Sequence, residues 1–340
     1  MAIIPSLPYT LESIAYASAL GLLSMGLSLT FATTRVANFA HADFAMVGSV
    51  VMLFLIDRFY YLHHGWGVFL TGSIVGGIFG GITGLLTYLI VLKPLADKGT
   101  SSLGLMIATF GIDIILMNLL TLILDTAHGV HIPKLIGASV SSYEPILSLR
   151  GYRVFGYTIV LPIAAVLLTV IFHLFLTRTK FGIAMRATIE NPDLASVLGV
   201  NVNLVYMVSW FFSGFLAGVA GALMAFAFKG VDPAVSALII VSVFAGSIVG
   251  GLESVYWGLI GGFLVGLVEK LGMTIINSIY RQYFVLHLGA PNVSLLNYEK
   301  LLSLGLVVIV LLYAPQGLAG VDWGRLARRL GLKKPVEGGG

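Results

Sequence analysis

The sequence predicts an all-α fold: a polytopic bundle of transmembrane helices with about seven to ten spans, some broken or re-entrant. Three observations carry that expectation. Of 340 residues, 58% are hydrophobic and only 10% charged, with a mean hydropathy of +1.00. That is more apolar surface than one water-soluble core can hide. The apolar residues are gathered in runs close to the roughly 20 that a helix needs to cross a bilayer. Glycine is abundant, at 41 residues, and small residues let helix backbones approach in lipid, where the hydrophobic drive between helices is missing.

Taken in order, the candidate spans are Ser13–Phe31, Phe44–Tyr61, Trp66–Leu92, Leu103–Leu124, Tyr157–Leu176, Leu204–Phe228, Ala234–Val249, Val255–Ile276 and Leu301–Tyr313. The second is flanked by polar residues and the seventh and ninth are short, which makes them the candidates for broken helices buried in protein. Gly76, Gly77, Gly80, Gly81 and Gly84 in the third run, and Gly214, Gly218 and Gly221 in the sixth, present small faces for helix packing. One membrane domain is expected over residues 1–320, with a polar external loop at 125–156, a cytoplasmic loop at 178–203 and a basic tail at 321–340. No fixed-period repeat is visible.

Charge supplies the orientation. Placing the basic tail and the 178–203 loop on the cytoplasmic side also places Arg35, Lys93 and Lys98 there, with the N-terminus outside. The lysines and arginines are spread among loops, so the net charge of +4 reads as an orientation signal and not as a nucleic-acid patch. No Lys or Arg precedes Arg35, so the first run is expected to remain as a span. Cysteine is absent, which excludes disulfides and thiol chemistry.

The 178–203 loop is the most structured polar stretch. Phe181, Met185 and Ile189 share one helical face, while Lys180, Arg186 and Glu190 lie elsewhere around it. Asn191 can cap a second short helix with Pro192 at its first position, and Gly199 can end it. Two short amphipathic helices suit a groove in a soluble partner or the membrane surface. Asn38, His41 and Asp43 bring three polar side chains to the start of a hydrophobic helix, where they either face a pathway or cap an interfacial helix. Asp113, in the middle of the fourth run with Thr109 and Asn118 nearby, is a candidate pathway acid or a member of a structural interhelical hydrogen bond. Glu269 and Lys270 are expected at the membrane interface.

Adjacent His63 and His64 point in different directions, and His128 and His131 lack a carboxylate triad, so no metal site is expected. No G-x-x-x-x-G-K-[ST], G-x-S-x-G or H-E-x-x-H sequence occurs, so the chain is expected to bind no ATP or other cofactor and to be a transporter and not an enzyme.

Four stretches resemble one family, the permeases of branched-chain amino-acid importers of the ATP-binding-cassette (ABC) type. FGIAMRATIENPDLASVLGVNV is similar to the cytoplasmic coupling loop of that family. Phe181, Gly182, Ala184, Met185, Arg186, Ala187, Glu190, Asn191, Ala195 and Gly199 fall within it. In GLSLTFATTRVANFAHADFAMVGS, Arg35, Val36, Asn38, Phe39, Ala40, His41, Asp43 and Phe44 match the LivH-type pattern, while Ala42 stands in place of a glycine. VFAGSIVGGLESVYWGLIGGFLVGLVEKL resembles a GGLGS-containing segment, with Glu253 in place of a glycine, and APQGLAG resembles the closing RPxGLFG. The resemblance implies a translocation path, and the cost of polar groups at membrane depth nominates Asn38, His41, Asp43 and Asp113 for it. It also implies two cytoplasmic ATP-binding subunits, a second LivH- or LivM-type permease subunit and an extracytoplasmic solute-binding protein. The cargo would be branched-chain amino acids or a small polar solute such as urea or an amide. A stand-alone secondary transporter or channel using Asp113 is the competing class.

Overall fold

The computed structural model describes residues 7–59, 66–128, 147–149, 152–227, 232–285, 287, 291 and 293–323. His63, His64, His131 and the basic residues beyond Trp323 lie outside them, as does most of the expected 125–156 loop. The helices are α1 (Leu7–Thr34), α2 (His41–Phe59), α3 (Trp66–Leu86), α4 (Ser102–His128), α5 (Tyr157–Arg178), α6 (Lys180–Glu190), α7 (Pro192–Val197), α8 (Val202–Met224), α9 (Ser236–Gly250), α10 (Val255–Leu267) and α11 (Glu299–Tyr313). Two of them run on: α3 through a π-helical turn, Thr87–Leu92, to Asp97, and α10 through another, Val268–Gly272, and a regular stretch, Met273–Ile279, to a final π-helical segment, Tyr280–Val285. A small antiparallel hairpin pairs β1 (Leu147–Leu149) with β2 (Tyr152–Val154), placing Ser148 opposite Arg153.

Among the described residues, eight helices are long and apolar enough to cross a membrane, and α2 carries a shorter apolar stretch, His41–Leu55. The chain is therefore a multi-pass membrane protein, with α2 the short helix that its polar flanks suggested. Long runs of Leu, Ile, Val, Phe and Ala leave no unpaired backbone in lipid once they are helical, which is why these segments take this form. Apolar side chains on α4, α5 and α11 remain exposed, including Ile107, Val166 and Leu312. The enclosed core lies instead along α1, α2 and α8.

Glycine sets how those helices meet. α3 lies antiparallel on α8: a methyl group at Gly84 would run into Trp210 O, one at Gly80 into Gly214 O, and one at Gly76 would approach Ala222. α10 lies antiparallel on α1 in the same manner, with Gly258 against Ser28, Gly262 against Leu20 O and Gly266 against Ala17. The resemblance between these pairs extends across the molecule. Ser49 on α2 donates to Gly221 O on α8 at 2.6 Å, and Ser247 on α9 donates to Ser24 O on α1 at 3.0 Å. Asn38 Oδ1 accepts from Ala40 N just before α2, and Asp232 Oδ1 accepts from Ala234 N just before α9. The π-helical turn Thr87–Leu92, just past Gly84, matches Val268–Gly272, just past Gly266, while Tyr280–Val285 is particular to the second copy. The segments α1–α2–α3–α4 and α8–α9–α10–α11 are thus two copies of one arrangement. Because α3 and α8 run in opposite directions, the copies are inverted, an architecture common in transporters.

Candidate functional site

The polar loop is a folded bracket. Thr179 accepts Gly182 N in its side chain at 2.9 Å, capping α6. Gly182 then packs so tightly on Phe175 and Leu176 of α5 that a β-carbon has no room. Met185 is fully buried, Phe181 is half-buried with its ring 6.0 Å from that of Phe175, and Ile189 is half-buried too. Ala184 and Ala187 lie on the flanks, with Thr188 donating to Ala184 O at 2.9 Å and Asn191 N to Ala187 O at 2.9 Å. Arg186 and Glu190 are exposed. Asn191 Oδ1 accepts from Leu194 N at 2.9 Å and so caps α7, while Gly199 closes it with φ +86°, in the left-handed region open to glycine. Ala195 is buried, and Asn201 caps α8 through Leu204 N at 3.0 Å.

The apolar face that sequence periodicity marks, Phe181–Met185–Ile189, is therefore the root that holds the bracket to α5 and α8. The outward face lies on α7, where Val197 is 84% exposed, Leu198 75% and Leu194 57%. A cavity of about 430 Å³ opens beside it, lined by Pro192, Asp193, Ser196, Asn201 and Tyr206 among others. Periodicity could not mark this tip, because α7 is too short to show a stripe.

The second site is the elbow between α1 and α2. Arg35 turns the chain with φ 56°. Asn38, His41 and Asp43 are all fully buried. His41 bonds Leu23 O at 2.9 Å and meets Ser213 at 3.3 Å. Leu23 lies midway along α1, so α2 starts deep in the bundle and not at an interface. Ala42, where the resemblance expects glycine, is helical, and the sharp bend falls at Arg35 instead. Thr109 of α4 receives Phe39 N at 3.1 Å. The Thr109 hydroxyl donates to Met106 O and Asn118 to Ile114 O, both within α4, so the interhelical partner expected for Asp113 is neither of them. Asp113 instead interacts with Asp43, across from Ser236 at the start of α9.

Two further clusters escaped sequence reading. Glu269 is enclosed within the protein: it is fully buried and accepts from Tyr16 at 2.8 Å, Ser242 at 2.5 Å, Lys300 at 3.1 Å and Ser303. Beside it, Lys270 pairs with Glu299 at 2.8 Å. The signal was present in the two Glu-Lys dipeptides, 269–270 and 299–300, which bracket one hairpin and cross-pair. Glu253 pairs with Arg35, joining the α9–α10 turn to the elbow and accounting for a glutamate where the family pattern has glycine. The same turn interlocks with the closing segment, Gly317 packing on Gly251 and Ile248. A cavity of about 580 Å³ lies there, lined in part by Phe31, Glu253 and Gln316.

Comparison with known proteins places this arrangement. Residues 9–311 match the model of the family described as "Branched-chain amino acid transport system / permease component". The chain is 38% identical, over 94% of each chain, to a probable branched-chain amino acid transport permease protein LivH of Methanocaldococcus jannaschii. It is 23% identical to the high-affinity branched-chain amino acid transport system permease protein BraD of Pseudomonas aeruginosa, over 89% of this chain and 92% of the relative. LivH of Escherichia coli K12 is 22% identical over 91% and 94%. No solved structure matches the chain.

Proposed function

The chain belongs to the family of permease components of branched-chain amino acid transport systems, and from that premise we propose that it forms half of the pathway of an ATP-driven importer carrying branched-chain amino acids. It is a transport subunit and not an enzyme. Two ATP-binding subunits on the cytoplasmic side would bind and hydrolyse the ATP, a second LivH- or LivM-type permease subunit would supply the other half, and an extracytoplasmic solute-binding protein would deliver the cargo. The α6–α7 bracket and the C-terminus would lie in the cytoplasm of the cell, and residues 125–156 outside. The chain itself binds no cofactor in this reading.

The observation that carries the proposal is the contrast within the bracket between a buried root at Met185 and an exposed apolar tip at Leu194, Val197 and Leu198. A tip of that kind has no packing role inside this chain and suits a groove in a soluble ATPase. Its rigid root would carry ATPase motion into α5 and α8, and so to the bundle core. Reconstitution of the complete importer in proteoliposomes tests this. Val197→Asp with Leu198→Asp should lower ATP-dependent leucine uptake by roughly tenfold or more, with the protein's melting unchanged because both positions face outward. Unaltered uptake at normal assembly would remove the tip from the coupling contact.

A further inference from the structure

Two carboxylates among the described residues are wholly enclosed, Glu269 and Asp43, and their surroundings are opposite. Glu269 has four donors around it. Asp43 is poorly served by comparison: neither oxygen meets a donor at hydrogen-bond geometry, and its polar neighbours are the Asp113 carboxyl and the Ser236 hydroxyl. Its interacting neighbours do not supply what is missing. Asp113 adds a second carboxylate, and the Ser236 hydroxyl already donates to Pro233 O at 2.8 Å. In the same elbow Asn38 Oδ1 caps the chain at Ala40, yet its Nδ2 donor is also enclosed and without an acceptor. An enclosed polar group left unpaired is costly, and the α2 start could be built with an ordinary cap and no acid pair. Depth adds to the contrast. Asp113 is about 16 Å along α4 from Ser102 at the helical rise, and the His41 ring reaches the midpoint of α1, so the group lies near the bilayer centre.

Resting on the importer reading above, we infer that this elbow is the polar seat through which a zwitterionic amino acid passes. Its ammonium would sit between Asp43 and Asp113, and its carboxylate would accept from Asn38 Nδ2 beside the N-terminus of α2. An ammonium brings three donors to poorly served carboxylates, and a carboxylate brings the acceptor that the amide lacks. The positive end of the α2 dipole favours the carboxylate at that place. A neutral solute such as urea would answer the amide but leave the acid pair without a cation. In the present conformation the seat is shut. The Phe39 ring rests 5.0 Å from Phe244 and 6.1 Å from Phe110, so α2, α4 and α9 must part for cargo to enter.

The test uses the complete complex, held with a non-hydrolysable ATP analogue, and measures retention of radiolabelled leucine alongside uptake in proteoliposomes. Wild type should retain leucine, and Asp43→Asn, Asp113→Asn and Asn38→Leu should each lower retention by about tenfold or more. Valine should displace the label, whereas isocaproate, without the ammonium, and leucinamide, without the carboxylate, should not. Should Asp43→Asn fail to assemble, the half-exposed Asp113 gives the same reading. Leucine uptake with retention unchanged in Asp113→Asn and Asn38→Leu overturns the seat, as does displacement by isocaproate as effective as by valine. Retention of radioactive sodium without leucine, lost in the same variants, would make it a free-ion site and likewise overturn it. If the wild-type complex takes up and retains another solute but no leucine, the branched-chain cargo of the proposed function fails instead.

Discussion

At Glu269 the chain does what lipid-embedded proteins rarely do, enclosing a full charge, and the surrounding residues explain why it is tolerated. Lys300 supplies the opposite charge, while Tyr16, Ser242 and Ser303 complete the carboxylate's bonding. Removing one member leaves the other stranded, so Lys300→Met should destabilise the protein by about 3–5 kcal/mol, and the double change Glu269→Gln, Lys300→Met by clearly less. Melting of the detergent-solubilised protein and a double-mutant cycle read this, and a double-variant loss equal to the sum of the two single losses would show that the pair is not coupled. Residue-scale legibility was uneven for a physical reason. Asn191 and Gly199 were readable because capping and left-handed backbone are local demands written in single residue types. The fate of Glu269 depends on Tyr16 and Lys300, far away in sequence on either side, and no local pattern reports such a meeting.

Among whole helices, the spacing of small residues decides the packing. Gly72, Gly76, Gly80, Gly84, Tyr88 and Leu92 are all buried and recur every four residues along α3. On a helix of 3.6 residues per turn, that stripe drifts by about 40° at each step. The π-helical turn at Thr87–Leu92 winds more residues into one turn and brings the stripe back toward its neighbours. The spans themselves were legible from apolar length, and the glycine faces from composition, but the π turns were not, because their signal is a spacing of 4.0 where 3.6 is expected. The close crossing of α3 on α8 makes a direct prediction. Gly218→Leu would drive a side chain into Gly76 O and Gly77, forcing the helices apart, and such overpacking typically costs about 1–3 kcal/mol or more. The check is a fall in melting temperature and in folded yield relative to Gly111→Leu, which meets open space; equal behaviour of the two would show that the crossing is loose.

For the molecule as a whole, inversion is the organising fact, and it was hidden from the sequence. The two copies share positions of contact, such as Ser49 and Ser247, without sharing side chains elsewhere: Asn38 stands where Asp232 stands, and the π turn after α3 carries Tyr88 where that after α10 carries Glu269 and Lys270. Packing preserves small residues at crossings and leaves the rest free, so the repeat survives in geometry and fades from sequence. The Arg35–Glu253 pair ties the α1–α2 elbow of one copy to the α9–α10 turn of the other. Exposed pairs of this kind contribute less than about 1 kcal/mol, so Glu253→Gly should leave the melting temperature within about 3 °C of wild type. A larger fall would mean that this pair, and not the glycine crossings, binds the copies together. The π turns have a last consequence when viewed as genetics. A π turn holds one residue more than the α-helical turn it replaces, the length of one codon, and Thr87–Leu92 and Val268–Gly272 each hold such a residue. Deleting the codon for Ile90 should therefore give a continuous, regular helix. Everything beyond the cut would keep its phase, because the π turn had already taken up the extra residue: Leu92 stays on its buried side, and the mutant should be helical by circular dichroism and should assemble, whereas loss of assembly would show that the wide turn itself is needed.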